Sequence, residues 1–240
     1  MGQTILADRA GVRADPVVGH DADGLGSDVV AAAPTPSMYA LCSRALDIVL
    51  GTALTIVALP VMAVVAVLVR LDSPGPVIFS QRRVGLAGRP FTFYKFRTMR
   101  ADARARFPDL YAYRYTEAEI EQMYFKIFDD PRLTRLGRRL RKTSLDELPN
   151  LLCVLRGDMA LVGPRPELPE MVRYYRPEQL PKFSVKPGVT GLAQVTGRGI
   201  LRFQDTIAAD LEYVRRRSFA FDIEILLRTI RSVVTRVGAF

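Results

Sequence analysis

Asp146 and Glu147 stand side by side in RKTSLDELPNLL, Arg141 to Leu152, in a chain of formal net charge +9. Adjacent carboxylates among cations can do two kinds of chemistry. An ionised oxygen can attack phosphorus and form an acyl phosphate. The pair can also hold Mg2+, which takes carboxylate and phosphate oxygens. The same residues read as helix punctuation. Ser144-Leu145-Asp146-Glu147 fits a capping box, and acids in a first turn complement the helix dipole. Leu145, Leu148, Leu152 and Leu155 would then form the buried stripe of that helix. Pro149 weakens the box, because a helix counted from Ser144 already needs the N–H that proline lacks. In either version both carboxylates sit at a helix start, where phosphate groups also bind.

Further cations have the spacing of a phosphate site. Pro164 and Pro166 bracket Arg165 in LVGPRPE. Each proline fixes its own φ and keeps the residue before it extended, so the arginine is carried on a restricted backbone. Such a guanidinium suits a preorganised phosphate fork, or is a solvated side chain in a proline-rich turn. Lys95 and Arg97 share one face of FTFYKFRTM by the two-residue period of a strand. They read either as a basic binding face or as a solvated one. The glycines of VKPGVTGLAQVTGRG allow tight turns, but the spacing matches no established phosphate-loop pattern.

These residues need a scaffold. PVIFSQRRVG and PFTFYKFRTM, joined through LAGR, predict a β-hairpin. Leu133, Leu136 and Leu140 recur at helical spacing among basic residues. The polar residues 101–130 favour helix. Phe203, Ile207, Leu211 and Val214 form one apolar stripe near the C-terminus. Ile223, Leu226, Leu227, Ile230 and Val234 form another, opposed by Arg228, Arg231 and Arg236. A basic amphipathic helix of this kind fits either a membrane surface or packing on the domain.

Ile48 to Val69 is a run of about 22 residues without a charge, long enough to span a bilayer if straight. Pro60 lies in its middle, and Arg44 and Arg70 flank both ends. Those features favour a re-entrant hairpin with arms of about 11 residues and about 17 Å each over a spanning helix. Asp47 is expected to meet Arg44 or lipid headgroups at the membrane edge. Residues 1–38 lack an apolar period and read as a disordered tail, without the pattern of a signal peptide. The expected organisation is therefore that tail, a membrane helix over 39–70 broken at Pro60, a catalytic domain over 71–200, and amphipathic helices over 201–240. The fold class is α+β.

Lys+Arg 34 against Asp+Glu 25 favours anionic partners: phosphorylated substrates, an anionic membrane face or nucleic acid. Nucleic acid has only the net charge behind it and is not expected as a partner. The single histidine, His20, excludes a His-rich metal site and makes His-based catalysis a poor fit. Cys42 and Cys153 form neither a metal spacing nor a disulfide framework.

Taken in order, SRALDIVLG, the apolar segment with its central proline, PVIFSQRRVG, FTFYKFRTM, DPRLTRLGRRLRKTSLDELPNL, LRGDMALVGPRP and VKPGVTGLAQVTGR resemble the bacterial sugar transferase family. These are monotopic polyprenyl-phosphate phosphoglycosyl transferases, and this chain is most similar to the polysaccharide-initiating branch. The resemblance implies that a nucleotide diphosphosugar, usually a UDP-sugar, gives its phosphosugar to polyprenol (undecaprenyl) phosphate and releases UMP. It implies Mg2+ held by Asp146 and Glu147, Asp146 as the nucleophile, and Glu147 assisting metal or proton handling. Lys95, Arg141 and Arg165 match phosphate-holding positions; Arg97 lies beside them, and Arg198 matches a position near the nucleotide. It also implies a re-entrant helix in the bacterial inner membrane, with the catalytic domain on the cytoplasmic face and an oligomer open. Many members carry Ser-Pro at the helix break, whereas this chain has Leu59-Pro60. The rival reading is a non-enzymatic membrane-surface scaffold, which explains the apolar run and the charge but not the ordered motifs.

Overall fold

The computed structural model describes residues 37–124, 127, 129–197 and 200–235. The tail expected over 1–38 therefore lies almost wholly outside the described residues. Helix α1, Met38–Asp72, begins at Ser37, whose hydroxyl accepts the Ala40 N–H. With 35 residues it is long and apolar enough to cross a membrane by length and composition.

The expected break at Pro60 is not an interruption of this helix, which runs through the proline as one element. A proline inside a helix costs about 3 kcal/mol and removes one backbone bond, but the turns on either side keep theirs. Both ends of α1 nonetheless rest on the same domain. Arg44 donates to the carbonyls of Val154 and Leu155 at 2.7 and 2.8 Å. Asp47 is buried and accepts the Leu161 N–H at 2.8 Å, rather than depending on headgroups. Further along, Val65 and Val69 pack with Phe96 and Leu140. Between these anchors, none of residues 52–61 is buried.

The hairpin forms as its alternation requires. Strand β1, Ile78–Val84, pairs antiparallel with β2, Pro90–Phe96, and the register puts Phe79 opposite Lys95 and Gln81 opposite Phe93. Phe91 and Phe93 face the core while Lys95, two residues on, continues the same face. Two short helices follow, α2 (Ala103–Arg106) and α3 (Glu117–Gln122), the second closed by a Thr116–Glu119 capping box.

Helix α4, Arg135–Thr143, is placed by a close approach. A Cβ on Gly137 would collide with the Thr98 carbonyl, so glycine lets the helix lie directly on the end of β2. The Thr134 N–H donates to that same carbonyl at 3.0 Å. Beyond α4 the chain does not start a capped α-helix. Ser144 has φ +56° and ends α4 without a side-chain capping bond, and Leu145–Asn150 is a 3-10 turn. That turn accommodates Pro149 and leads into α5, Leu151–Arg156. Leu152 of the expected buried stripe is 42% exposed.

Strands β3 (Ala160–Val162) and β4 (Gly188–Thr190) pair in parallel. A Cβ on Gly163 or Gly188 would run into the opposite backbone, so these glycines serve a close strand crossing rather than a phosphate loop. Helices α6 (Leu192–Gly197), α7 (Phe203–Arg216) and α8 (Phe219–Thr235) complete the described chain. The main core joins Phe91 and Phe93 to Val154, Met159, Tyr213 and Ile225. Each such side chain contributes roughly 1.5–3 kcal/mol on burial. Helix α8 buries Phe221 and Ile225, while Phe219, Leu227 and Ile230 remain exposed. The apolar residues Leu227 and Ile230 are thus on its outward face.

Candidate active site

Asp146 lies on the 3-10 turn between α4 and α5 and is only 5% exposed. Among the described residues it lies close to four charged side chains. Glu147, Lys95, Arg141 and Arg165 all act on its carboxylate electrostatically. Burial and the Glu147 charge push the Asp146 carboxyl above the usual carboxylate range, and the three cations oppose that shift. Three cations are thus brought to one carboxylate from three separate segments, and Glu147 is its neighbour on the same turn.

Each cation is held by different means. Lys95 comes from β2 and lies over the Phe79 ring at 5.6 Å. Its ammonium is half-buried, and burial followed by the Arg141 charge lowers its pKa to about 7. Arg141 comes from the last turn of α4, where its Nε donates to the Thr98 hydroxyl at 3.1 Å. Its Nη1 is also 3.9 Å from Asp130 Oδ2. Asp130 is buried and engages Arg132 by two side-chain bonds of 2.8 Å. Burial pushes the Asp130 carboxyl up, but the Arg132 bonds outweigh it and keep the group below its ordinary range. Asp130 is therefore an ionised brace behind Arg141.

Arg165 leaves the Gly163-Pro164 turn after β3. That turn is fixed by backbone bonds from Gly163 N to Thr190 O at 2.9 Å and from Gly188 N to Pro164 O at 2.8 Å. Arg165 Nη2 donates to Glu147 Oε1 at 3.0 Å. The Glu147 charge beside it raises the guanidinium pKa further. The proline-bracketed Arg165 and the acidic pair thus meet directly.

Arg97 does not join this cluster. Its Nη1 donates to Pro74 O at 2.6 Å, and its Nη2 to Ser73 O at 2.6 Å and Val69 O at 3.3 Å. β2 has ended at Phe96, so the period-two argument that placed Arg97 beside Lys95 no longer holds. Arg97 instead holds the C-terminal end of α1, where carbonyls lack helical partners. Arg198 lies outside the described residues.

Sequence reasoning missed Arg83, Asp130 and Asn150. Arg83 and Gln81 alternate along β1 on the face that carries Phe93 and Lys95 across the register, which is the signal that could have found Arg83. Asn150 is fully buried, and its Oδ1 accepts the Tyr94 N–H at 3.2 Å. It therefore ties the Asp146 turn to the strand of Lys95. No local pattern announced that contact, because it joins residues 56 apart.

The adjacent carboxylates are a suitable partial donor set for a divalent cation. No group of three or more His, Cys, Asp or Glu able to hold a metal occurs among the described residues. Mg2+ commonly takes one or two carboxylates and completes its shell with water and substrate phosphates. The Asp146–Glu147 repulsion that raises the Asp146 pKa is what a bound cation would relieve.

Comparisons with known proteins give the family of the chain. The family model of the bacterial sugar transferases matches residues 38–236. Galactosyl transferase CpsE of Streptococcus agalactiae is 42% identical over 189 residues, covering 77% of this chain and 41% of that protein. A UDP-glucose:undecaprenyl-phosphate glucose-1-phosphate transferase of Caulobacter vibrioides is 41% identical over 208 residues, 83% of this chain and 72% of its own length. An uncharacterised sugar transferase, EpsL of Bacillus subtilis, is 43% identical over 170 residues, 71% of this chain and 76% of that one. The chain thus spans less than half of the first of these relatives and about three quarters of the other two. It belongs to the bacterial sugar transferase family.

Proposed function

We propose that the protein is a phosphoglycosyl transferase that moves a sugar-1-phosphate from a UDP-sugar to undecaprenyl phosphate, releasing UMP, and so begins assembly of an exopolysaccharide or other glycoconjugate. The observation that carries this reading is the buried Asp146 carboxylate beside Glu147 and within the field of Lys95, Arg141 and Arg165. The names of similar proteins support the reaction class, including the Caulobacter transferase that uses UDP-glucose. One similar protein is named for galactose and another for glucose, so the donor sugar is a matter for assay.

In the first step an Asp146 oxygen attacks the β-phosphorus. The bond from that phosphorus to the bridging oxygen breaks, and UMP leaves with the electron pair. In the second step a phosphate oxygen of the acceptor attacks the same phosphorus, and the Asp146 carboxylate is the leaving group. Phosphoryl transfer depends mainly on position and charge neutralisation. Lys95, Arg141 and Arg165 supply positive charge, and burial of Asp146 removes water from the attacking oxygen. Asp146 and Glu147 would hold Mg2+, which when bound supplies charge neutralisation to the diphosphate.

A lipid acceptor must meet this site at a membrane surface. The exposed apolar stretch 52–61 of α1, flanked by anchors to one domain, supports contact of this helix with lipid, and the cytoplasmic face of the inner membrane is the side on which the proposed UDP-sugar donor would be met. The outward Phe219, Leu227 and Ile230 of α8 support contact with the same lipid. The test is UMP release by the purified protein with undecaprenyl phosphate, Mg2+ and a panel of UDP-sugars. Acceptor-dependent UMP release with at least one donor is expected. Lipid binding without turnover on any donor would favour the scaffold reading.

A further inference from the structure

We infer that Arg83 is a positioning residue for Arg165, given the reading of Arg165 as a phosphate ligand above. Arg83 lies on β1 and its Nη1 donates to the carbonyl of Pro166 at 3.1 Å, gripping the residue that follows Arg165. Its Nη2 donates to Gln81 Oε1 at 2.9 Å, and its guanidinium lies over the Phe93 ring at 5.4 Å. One planar fork is thus held by a side chain on its own strand and a ring on the next, and it reaches out to a single backbone carbonyl. The neighbouring residue repeats the grip: Val84 N donates to Glu167 O at 2.9 Å. β1 therefore clasps both residues after Arg165.

The far side of this loop is fixed too. Glu167 is buried, accepts the Tyr175 hydroxyl at 2.6 Å and lies 3.4 Å from Lys182 Nζ, which is itself 3.2 Å from Asp210. Arg165 is consequently carried on a backbone braced on two sides, with its own guanidinium directed to Glu147. Arg83 carries a cost that folding alone would avoid. Its Nε is buried without a hydrogen-bond partner, and burial together with the Arg165 charge pushes its pKa down to about 10. A neutral side chain would pack there without that repulsion. A cation that bonds the next peptide, close to the phosphate-binding cation, has the placement of a brace.

Hydrogen–deuterium exchange and steady-state kinetics on the full chain in lipid nanodiscs test this. Arg83→Met should speed exchange in the peptide covering 163–168 about tenfold or more, as loss of a charged hydrogen bond would, and leave α7 unchanged. The donor KM should rise about tenfold, with kcat changed less, the equivalent of about 1.4 kcal/mol. Arg83→Lys, which keeps the charge and one donor, should recover part of both effects. In an Arg165→Met background, Arg83→Met should add less than about twofold, because the residue it positions is gone. Unchanged exchange at 163–168 in Arg83→Met, or the full KM penalty in the Arg165→Met background, would overturn the assignment. Wild-type kinetics in Arg165→Met alone would instead sink the phosphate role of Arg165, and the exchange measurement would still decide whether Arg83 braces the loop.

Discussion

Arg165 Nη2 and Glu147 Oε1 are 3.0 Å apart, so the basic loop after β3 and the acidic turn before α5 are bonded to each other within the protein itself. The pair is partly exposed, with side chains 37% and 23% accessible, so its own contribution to stability is small. Its consequence is for the proposed function: a phosphate binding at Arg165 would share or replace Glu147 as its partner. Arg165→Met should lower kcat/KM for the donor by about 10- to 100-fold, the usual loss for one charge-assisted bond to a phosphate. Glu147→Gln should also lower it, and the double variant should lose less than the product of the two. Multiplicative losses in UMP release would show that the two residues act independently.

The pH profile has a calculable shape. Asp146 must be ionised to attack, and burial beside Glu147 raises its pKa, so kcat/KM should fall on acidification from above the ordinary carboxylate range. In the proposed reaction Lys95 would hold phosphate only as an ammonium, and its pKa is lowered to about 7, so activity should also fall as pH rises past that value. Arg stays charged throughout. Arg at position 95 should therefore move the alkaline limb of kcat/KM upward by about two pH units or more and leave the acid limb in place. An alkaline limb that stays put in Lys95→Arg would assign it to another group.

The same shift has a stability counterpart. Between about pH 7 and the unfolded lysine value the unfolded chain binds more protons than the folded one, so this group makes stability rise with pH across that window. Lys95→Met should flatten that rise and increase the thermal midpoint near pH 7 while removing activity. Thermal unfolding of both proteins at pH 7 and pH 9 checks it. A lower midpoint for Lys95→Met at pH 7 would contradict the burial cost assigned to the ammonium.

Arg97 should behave as an anchor. Its guanidinium serves carbonyls at the end of α1 and leaves the cluster around Asp146 alone. Arg97→Ala should destabilise the protein by about 1–3 kcal/mol, through loss of its charged hydrogen bonds to the Val69, Ser73 and Pro74 carbonyls. The donor KM of the fraction that remains folded should stay near wild type. A large KM change without loss of stability would return Arg97 to the binding site.

Much of this arrangement was legible in sequence because it rests on local patterns. The hairpin followed from alternation, α4 from the Leu136 and Leu140 spacing, and the α7 stripe from Phe203 and Ile207. Lys95, Arg141, Asp146 and Arg165, singled out by the order of their motifs, are brought together by the fold around one carboxylate. What escaped depended on the ends of elements and on tertiary contacts. Arg97 follows Lys95 by two residues, but β2 stops between them. Ser144 adopts left-handed backbone, which turned an expected capping box into a 3-10 turn. Pro60 predicted a break, whereas the helix runs through it as one element. The stripe containing Leu227 and Ile230 was visible, but its outward direction was not, because Phe221 and Ile225 offered a second apolar face. Arg83, Asp130 and Asn150 act through partners far along the chain, which no local window contains.

The central claim is that Asp146 forms the bond to phosphorus. Mass spectrometry of the protein quenched after incubation with Mg2+ and a productive UDP-sugar, without acceptor, tests it directly. A phosphosugar adduct is expected on the peptide containing Asp146, lost on adding undecaprenyl phosphate and absent from Asp146→Asn. An adduct mapped to another residue, or near wild-type UMP release by folded Asp146→Asn, would contradict it.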